Sequence, residues 1–283
     1  LSTMPWYLYL AFKQLFPTGS KVSFFLVLSV IGVGLGVRLL IIVLTVMNGF
    51  QKEIRDKIVE TSGDIRVEDR AVIYDYDELM EVVAGVEYKG KQVVEAVSPY
   101  AYGFVMVQNR NVPVFPAIRG IDVNLEQEVI SYEKFMKSGS IDDLDDDSVI
   151  ISSGLARKIG AFRGDTLEVI SPLIMEKLEE DEIMLPRQLR IVGIFETGWT
   201  VIDNNTLFCT LTLMQEFYGL EDGIHGLTVR LKRGYEEDVD LIAATINDTI
   251  LSHDTLPLGV KAFSWLDLNR DFLFVLQLEK SVM

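Results

Sequence analysis

The chain has 283 residues, a formal net charge of -16 and a single cysteine, Cys209, so it cannot form an internal disulfide. Residues 1–60 carry a net charge of about +3, which leaves about -19 on the remainder, and so acidic a surface repels phosphate backbones. We therefore expect no nucleic-acid partner, and we read the acidic part as a solubilising surface outside the cytoplasm. Cys209 lies in the apolar segment TLFCTLTL and is expected to be buried.

The N-terminal part is dominated by an apolar run from Val22 to Met47. As a helix this run would be about 39 Å long, more than the roughly 30 Å of hydrocarbon in a bilayer. It is too long for the core of a signal peptide, and it continues into the polar, helix-compatible segment NGFQKEIRDKIVE. We predict a cytoplasmic amphipathic segment over residues 1–21 and the first transmembrane helix over residues 22–50.

Two features of the span have a bearing on function. Gly32 and Gly36 form a G-x-x-x-G pattern on one helix face, which predicts close packing against another helix because no Cβ stands between them. Arg38 is a charge within the span and is costly there. It either extends its side chain to the interface or pairs with an acidic group on another helix or with a lipid phosphate.

Residues 51–265 mix strand and helix patterns and predict an α+β domain with two subdomains. Strands are predicted in GDIRVED, VVEAVSPYAYGFVMVQN, VPVFPAIRGID, GDTLEVISP, RQLRIVGIFETG, TLFCTLTL, HGLTVRLK and VKAFSW. Helices are predicted in DYDELMEVVAGV, YEKFMKSG, LMQEFYG and YEEDVDLIAATINDTIL, and a strand followed by a helix in SVIISSGLARKIG.

The motifs of common enzyme classes do not occur in this sequence. His225 and His253 each stand apart from other metal ligands, which disfavours a zinc site or a catalytic triad. No G-x-x-x-x-G-K-[ST] occurs, so the chain does not itself bind ATP through a P-loop. The aspartates of residues 142–147 resemble a calcium loop only loosely, and we read them as a solvated loop.

An ordered set of segments resembles a known family. GLGVRLLIIVLTVMNGFQKEIRDKI is similar to the first transmembrane helix of lipoprotein-releasing ABC transporter permeases of the LolC/LolE type, which carry a MacB-like periplasmic core domain. The similarity continues through AIRGIDVNLEQEV, IISSGLARKIGAFRGDTLEVISP, RQLRIVGIFETGWTVIDNN, HGLTVRLK and WLDLNRDFLFVLQLEKSVM. It covers nearly the whole chain. Arg38 departs from the family, which usually has a small or apolar residue there.

The resemblance implies a non-enzymatic permease subunit of the bacterial inner membrane with a large periplasmic domain. It implies two permease copies, alike or paired with a sister subunit, and a separate ATPase that binds the ATP. The cargo would be a lipoprotein drawn from the outer leaflet and passed to a periplasmic carrier. In the family, the segment that corresponds to residues 173–186 is a hairpin that hooks the carrier. Here it would offer Ile174, Met175, Ile183, Met184 and Leu185. A hairpin without a partner is the alternative.

The C-terminal residues 266–283 are predicted to begin a second transmembrane helix, so that the chain is an N-terminal fragment. The alternative is an amphipathic helix folded back on the domain. Three other functions remain open on the sequence. One is a related mechanotransmitting permease of the macrolide or toxin efflux type or the cell-division type. Another is a membrane-anchored binding or sensor module, and the last is a membrane-tethered hydrolase.

Overall fold

The computed structural model describes residues 5–7, 10, 13, 24–109, 112–173, 185–257, 259–271 and 274. The chain forms two compact units, residues 1–54 and residues 55–282. One helix, α1 (Phe24–Ser62), begins in the first unit and ends in the second. Its stretch Val27–Val46 has a mean hydropathy of 2.6 and is long and apolar enough to cross a membrane. This stretch lies inside the predicted transmembrane helix.

The second unit is built on strands. The strands are β1 (Ile65–Ile73), β2 (Glu87–Tyr88), β3 (Lys91–Gln92), β4 (Val94–Phe104), β5 (Met106–Asn109), β6 (Val112–Val114), β7 (Ala117–Ile121), β8 (Met136–Ser138), β9 (Ser148–Ser152), β10 (Thr166–Ile170), β11 (Arg187–Phe195), β12 (Thr206–Thr210), β13 (Ile224–Leu231) and β14 (Lys261–Ser264). The helices after α1 are α2 (Tyr76–Ala84), α3 (Val123–Val129), α4 (Ser153–Ile159), α5 (Thr200–Asp203), α6 (Leu211–Tyr218), α7 (Val239–Leu251) and α8 (Trp265–Leu268), with 3₁₀ turns at Tyr132–Phe135 and Ile141–Asp143.

One large mixed sheet runs through the domain, and β2 and β3 form a separate two-stranded sheet. The strand order of the large sheet is β14-β1-β13-β4-β7-β12-β9-β11-β10-β5-β6, and β8 pairs with β11 outside this path. The pairs β9–β11 and β7–β12 are parallel, whereas the remaining pairs are antiparallel. The α+β class predicted from the sequence is confirmed. The pairing continues through the whole domain, so the predicted division into two subdomains does not correspond to a break in this sheet.

The central strands β9 and β13 are buried along almost their whole length, so both of their faces are covered. The rings of Tyr132 and Phe208 meet edge to face with centroids 4.9 Å apart, and Phe195 lies 4.8 Å from Phe208. Edge-to-face and offset geometries are those that aromatic pairs prefer. Cys209, which follows Phe208 in β12, is fully buried, as expected. The ring cluster fixes the 3₁₀ turn after α3 against β11 and β12.

Several predicted boundaries are wrong. The segment TLFCTLTL is a strand only to Thr210, whose Oγ1 accepts a hydrogen bond from Leu213 N–H and caps α6. The run VVEAVSPYAYGFVMVQN is two strands, because pairing changes partners at Val105. YEKFMKSG, predicted as a helix, is a 3₁₀ turn followed by β8. Helix α3 was not predicted.

Candidate functional site

The last turn of α1 ends at a glycine that the geometry requires. Gly63 has a φ of +76°, and its N–H donates to the Val59 carbonyl at 3.0 Å. A Cβ at this position would lie 2.5 Å from Thr228 Cγ2. Glycine adopts positive φ without a steric penalty and adds no atom here. The change of direction from α1 into β1 therefore depends on Gly63.

Asp64, the next residue, connects the end of α1 to β13 and to α8. Its buried carboxylate accepts from Leu231 N–H at 2.9 Å and lies 3.4 Å from Arg230 Nη1. Its backbone N–H donates to the Val229 carbonyl, and its own carbonyl accepts from Trp265 N–H, both at 2.9 Å. One residue thus ties together the helix that enters the domain and the segment that leaves it.

Arg230 bonds to three segments with one guanidinium. Its Nε donates to the Val129 carbonyl at 2.8 Å, at the end of α3, and its Nη2 donates to the Val59 carbonyl at 3.1 Å. Its Nη1 faces Asp64. The last carbonyls of a helix lack partners within the helix, and a cation is favourable at that end. Arg230 therefore satisfies the ends of α1 and α3 together.

The segments that enter and leave the domain lie side by side. Strand β1 follows α1 and pairs with β13 on one side and with β14 on the other, where Ile65 lies opposite Ser264. Ser264 then caps α8 through a capping box with Asp267. We call Gly63, Asp64, Arg230 and Trp265 the joint.

A buried ion pair lies on the other side of Thr228. Arg119 Nη2 donates to Glu126 Oε1 at 3.1 Å and to Thr228 Oγ1 at 2.7 Å, and Tyr132 OH donates to the same Glu126 oxygen at 3.2 Å. The Arg119 guanidinium lies 4.4 Å from the centre of the Tyr100 ring, within cation–π range. Contacts thus run from the joint through Thr228 to β7 and α3.

The surroundings keep the Arg119 guanidinium of this pair charged. Burial by itself would lower the pKa of Arg119, but the interactions with Glu126, Tyr132, Tyr100 and Glu68 together more than offset this and leave the pKa raised. Burial raises the pKa of the Tyr132 hydroxyl, and the Glu126 charge raises it further, so the hydroxyl keeps its proton and donates. The network is a fixed structural element at physiological pH.

The predicted carrier-binding segment emerges from the hairpin β10–β11. Val169 lies opposite Arg187 in that hairpin, and Leu173 Cδ1 lies 3.5 Å from where a Cβ of Gly219 would be. Four of the predicted residues, Ile174, Met175, Ile183 and Met184, lie outside the described residues. Leu185 is described and is 82% exposed. We call Leu173, Leu185, Arg187 and Gly219 the hairpin base.

The predicted features of the span are all on its open surface. A Cβ at Gly32 or Gly36 would meet nothing within 4 Å among the described residues, so that face is free for another helix. Arg38 lies within Val27–Val46, and its side chain is exposed in the described part of the chain. Most of the predicted second span, residues 272, 273 and 275–283, lies outside the described residues.

The described residues contain no group of three or more histidine, cysteine, aspartate or glutamate side chains that could hold a metal ion. Three of the acidic residues in 142–147 pair with arginines: Asp143 with Arg163, Asp145 with Arg190 and Asp147 with Arg187. His225 Nδ1 accepts from Tyr102 N–H at 3.0 Å. Burial lowers the pKa of His225, although Glu68 acts in the opposite direction. These groups have structural partners.

The joint was missed by the sequence analysis. Asp64 and Arg230 are far apart in the chain, and Arg230 lies in HGLTVRLK, which the sequence presents as an ordinary strand. A local signal did exist for α3. Asp122 is its N-cap, with a side chain that accepts from Asn124 N–H and Leu125 N–H, and an aspartate before a polar, helix-compatible run is a known start signal.

A helix that is long and apolar enough to cross a membrane and that continues into an α+β domain defines a membrane-anchored domain. Residues 26–248 match the family model of the MacB-like periplasmic core domain. The chain belongs to this family, and its similarity to permeases of the LolC/LolE type is confirmed.

Similar proteins include the lipoprotein-releasing system transmembrane protein LolC of Neisseria meningitidis serogroup B, 28% identical over 92% of this chain and 60% of that protein. LolC of Xylella fastidiosa is 29% identical over 93% of this chain and 60% of that protein. The chain thus spans about 60% of the length of the curated relatives it matches.

Two solved structures are also similar in fold. The extracellular domain of the ABC-type transporter YknZ from Gram-positive bacteria aligns with a TM-score of 0.45 and 12% identity, over 71% of this chain and 99% of that one. The periplasmic region of MacB from Actinobacillus actinomycetemcomitans aligns with a TM-score of 0.43 and 12% identity, over 76% of this chain and 95% of that one.

Proposed function

We propose that the chain is part of a lipoprotein-releasing ABC permease, in which α1 transmits movement from the membrane to the periplasmic domain. The observation that supports this most is the continuity of α1, one helix from Phe24 to Ser62 that contains the apolar span and ends at the joint. A separate ATPase subunit would bind and hydrolyse the ATP, since this chain has no P-loop.

The joint gives this proposal a physical mechanism. Arg230 binds a carbonyl of the last turn of α1, and Asp64 is bonded to β13 and α8. Because these hydrogen bonds are largely shielded from water and two of them involve charges, they are stiff and are expensive to break. A shift of α1 would therefore move β13 and α8 with it rather than bend the connection.

The partners follow from the same proposal. A second permease copy or a sister permease would pack against the open face at Gly32 and Gly36. Arg38 would pair there with an acidic group or contact a membrane lipid phosphate. The cargo would be a lipoprotein from the outer leaflet, and residues 174–185 would contact its periplasmic carrier.

The proposal is tested by reconstitution. The full-length permease, its ATPase and its second permease are placed in proteoliposomes, and ATP hydrolysis and transfer of a lipoprotein to a soluble carrier are measured. We expect Arg230→Gln to keep ATP hydrolysis but to reduce transfer several-fold, whereas Arg163→Gln, which changes an exposed ion pair, keeps both. ATP hydrolysis without any transfer by the wild type would instead identify an efflux or cell-division permease. If the permease does not bind an ATPase, the result would favour a membrane-anchored binding or sensor module.

The orientation has a separate test. A reporter enzyme that is active only outside the cytoplasm is fused after Gly139, within the domain, or before the span. We propose that only the first fusion is active. Activity of the second fusion alone would place the domain in the cytoplasm and would reverse the topology.

A further inference from the structure

Strand β14 lies at one end of the large sheet, and a side chain already bonds its outward backbone groups. In the described part of the chain it pairs with β1, where Val67 lies opposite Ala262. Alternate residues of an antiparallel edge strand direct their N–H and C=O away from the sheet. Ala262 N–H donates to Asn247 Oδ1 at 2.7 Å, and Asn247 Nδ2 donates to the Ala262 carbonyl at 3.0 Å. One amide therefore occupies both groups that a further strand would bond.

Helix α7 places this amide at the edge. Its buried residues recur at helical spacing and are Val239, Ile242, Ala243, Ile246 and Ile250. Asn247 follows Ala243 by four residues and lies at the rim of the buried stripe. Asp240, seven residues earlier on the same side of the helix, accepts from Ser264 Oγ at 2.5 Å. Two polar residues of α7 thus run along β14 and bond to it at two places.

The neighbouring outward donor of β14 also has a side-chain partner. Ser264 N–H donates to Asp267 Oδ2 at 3.4 Å, as part of the capping box of α8. The strand at the other end of the sheet order, β6, has Pro113 at its centre, and proline has no N–H to offer. Both ends of the sheet therefore lack free donors at these positions, but by different means.

Space does not close the β14 edge. The described part of the chain leaves an open groove of about 680 Å³ there, lined by Asn247, Phe263, Asp267 and Arg270 among others. An edge strand with free backbone groups and room beside it readily pairs with a strand of another chain. Asparagine is also a poor residue for the interior of a helix, so its position in α7 calls for a compensating role.

We propose that Asn247 takes the place of a neighbouring strand and keeps β14 of one copy from pairing with β14 of a second copy. The same strand from two copies can pair antiparallel about a two-fold axis, so an open β14 edge is complementary to itself. With the amide in place, a second copy would have to break two hydrogen bonds before it could form its own. The proposal concerns the domain alone and does not depend on the cargo or the ATPase proposed above.

The test is crosslinking of the full chain in detergent over a range of protein concentrations. Lys261→Cys is exposed on β14, and pairing of the strands about Ala262 would bring the two Lys261 positions to roughly 7–8 Å, within reach of a short bifunctional maleimide. Cys209 is buried and does not react in the folded protein. Lys261→Cys alone gives the background, which includes any contact between the spans.

Three variants are then compared in the Lys261→Cys background. Asn247→Ala frees both groups of Ala262. Asn247→Asp loses the donor to the carbonyl, but it still accepts from Ala262 N–H and puts a charge at the edge, which opposes strand addition. Ile246→Val is the matched control, because it loosens the packing of α7 without changing the edge.

We expect Asn247→Ala to raise the crosslinked dimer several-fold, with a dependence on protein concentration, and the other two variants to stay near the background. An unchanged dimer fraction in Asn247→Ala would overturn the proposal. An equal rise in Ile246→Val or in Asn247→Asp would also overturn it, since loosening of α7 and not opening of the edge would then control the contact.

Discussion

The joint and the hairpin base use their charged residues in opposite ways. At the joint, Asp64 and Arg230 are mostly buried, and their hydrogen bonds go to backbone groups of four different segments. At the hairpin base, Arg187 pairs with Asp147 and Glu216 on the surface, where water screens the attraction. The first arrangement preserves geometry between elements, whereas the second leaves a surface that can change partners.

The largest difference is expected from removing one arginine in each region. Arg230→Met removes the cation beside the Asp64 carboxylate and the guanidinium donors to the Val129 and Val59 carbonyls, and we expect the free energy of unfolding to fall by about 3–5 kcal/mol. Arg187→Met removes exposed pairs and should cost under about 1 kcal/mol. Urea unfolding of the detergent-solubilised chain measures both. Equal losses in the two variants would show that the joint is not the stiffer region.

A second contrast uses one glycine in each region. Gly63→Ala should cost about 1–2 kcal/mol for its positive φ and a further 1–3 kcal/mol for the contact with Thr228. Gly219 has a φ of +61°, but its Cβ would lie at an ordinary 3.5 Å from Leu173, so Gly219→Ala should show the first cost alone.

The same unfolding assay includes a partial rescue. Thr228→Ser removes Cγ2 but keeps the hydroxyl that accepts from Arg119. In this background the cost of Gly63→Ala should fall towards that of Gly219→Ala, and the Val229 carbonyl oxygen, 3.1 Å from the Cβ position, accounts for a smaller remaining difference. If Gly63→Ala lowers the free energy of unfolding equally with Thr228 and with Thr228→Ser, the contact with Thr228 is not the reason why position 63 requires glycine.

Deleting residues 174–185 tests whether the segment next to the hairpin base binds the carrier. We expect no measurable change in the urea midpoint or in membrane insertion, because the joint and the sheet are unaffected, but we expect crosslinking to the soluble carrier to be lost. The matched control is Leu185→Ser alone, which should weaken crosslinking less than the deletion. Unchanged crosslinking in the deletion variant would remove the carrier-binding role.

The smallest expected effect is a pH dependence at His225, whose ring lies 6.4 Å from that of Tyr218, next to Gly219. Because burial lowers the pKa of His225, the unfolded chain binds its proton at a higher pH than the folded chain does. Stability present above about pH 6.5 is therefore lost as the pH falls through the folded pKa. His225→Gln should make the urea midpoint of unfolding depend less on pH between about pH 6.5 and the lower pKa of the folded state. An identical slope in both proteins would exclude His225 as its source.

Local patterns predicted most elements of this fold. The periodicity of YEEDVDLIAATINDTIL predicted α7, and β-branched runs such as HGLTVRLK predicted β13. The error at TLFCTLTL has a physical cause. Threonine favours strands and also caps helices, and at Thr210 the capping hydrogen bond to Leu213 decides the boundary.

The joint could not be predicted in the same way. Asp64 and Arg230 meet only because β1 inserts between β13 and β14, a pairing without a local sequence signal. The carrier-binding segment differs from the joint, because it was predicted before the structure but most of it is not described there. It was predicted only by resemblance to a family, and most of its residues lie outside the described part of the chain, so its role stays a prediction.

The position of β1 in the sheet has a consequence for biosynthesis. The ribosome makes β1 directly after the membrane helix, but its neighbours β13 and β14 come only after almost all of the domain has been synthesised. Until then β1 has two open edges, which are prone to pairing with the wrong chain. The first strand of the domain therefore stays unpaired until the last strands have been synthesised.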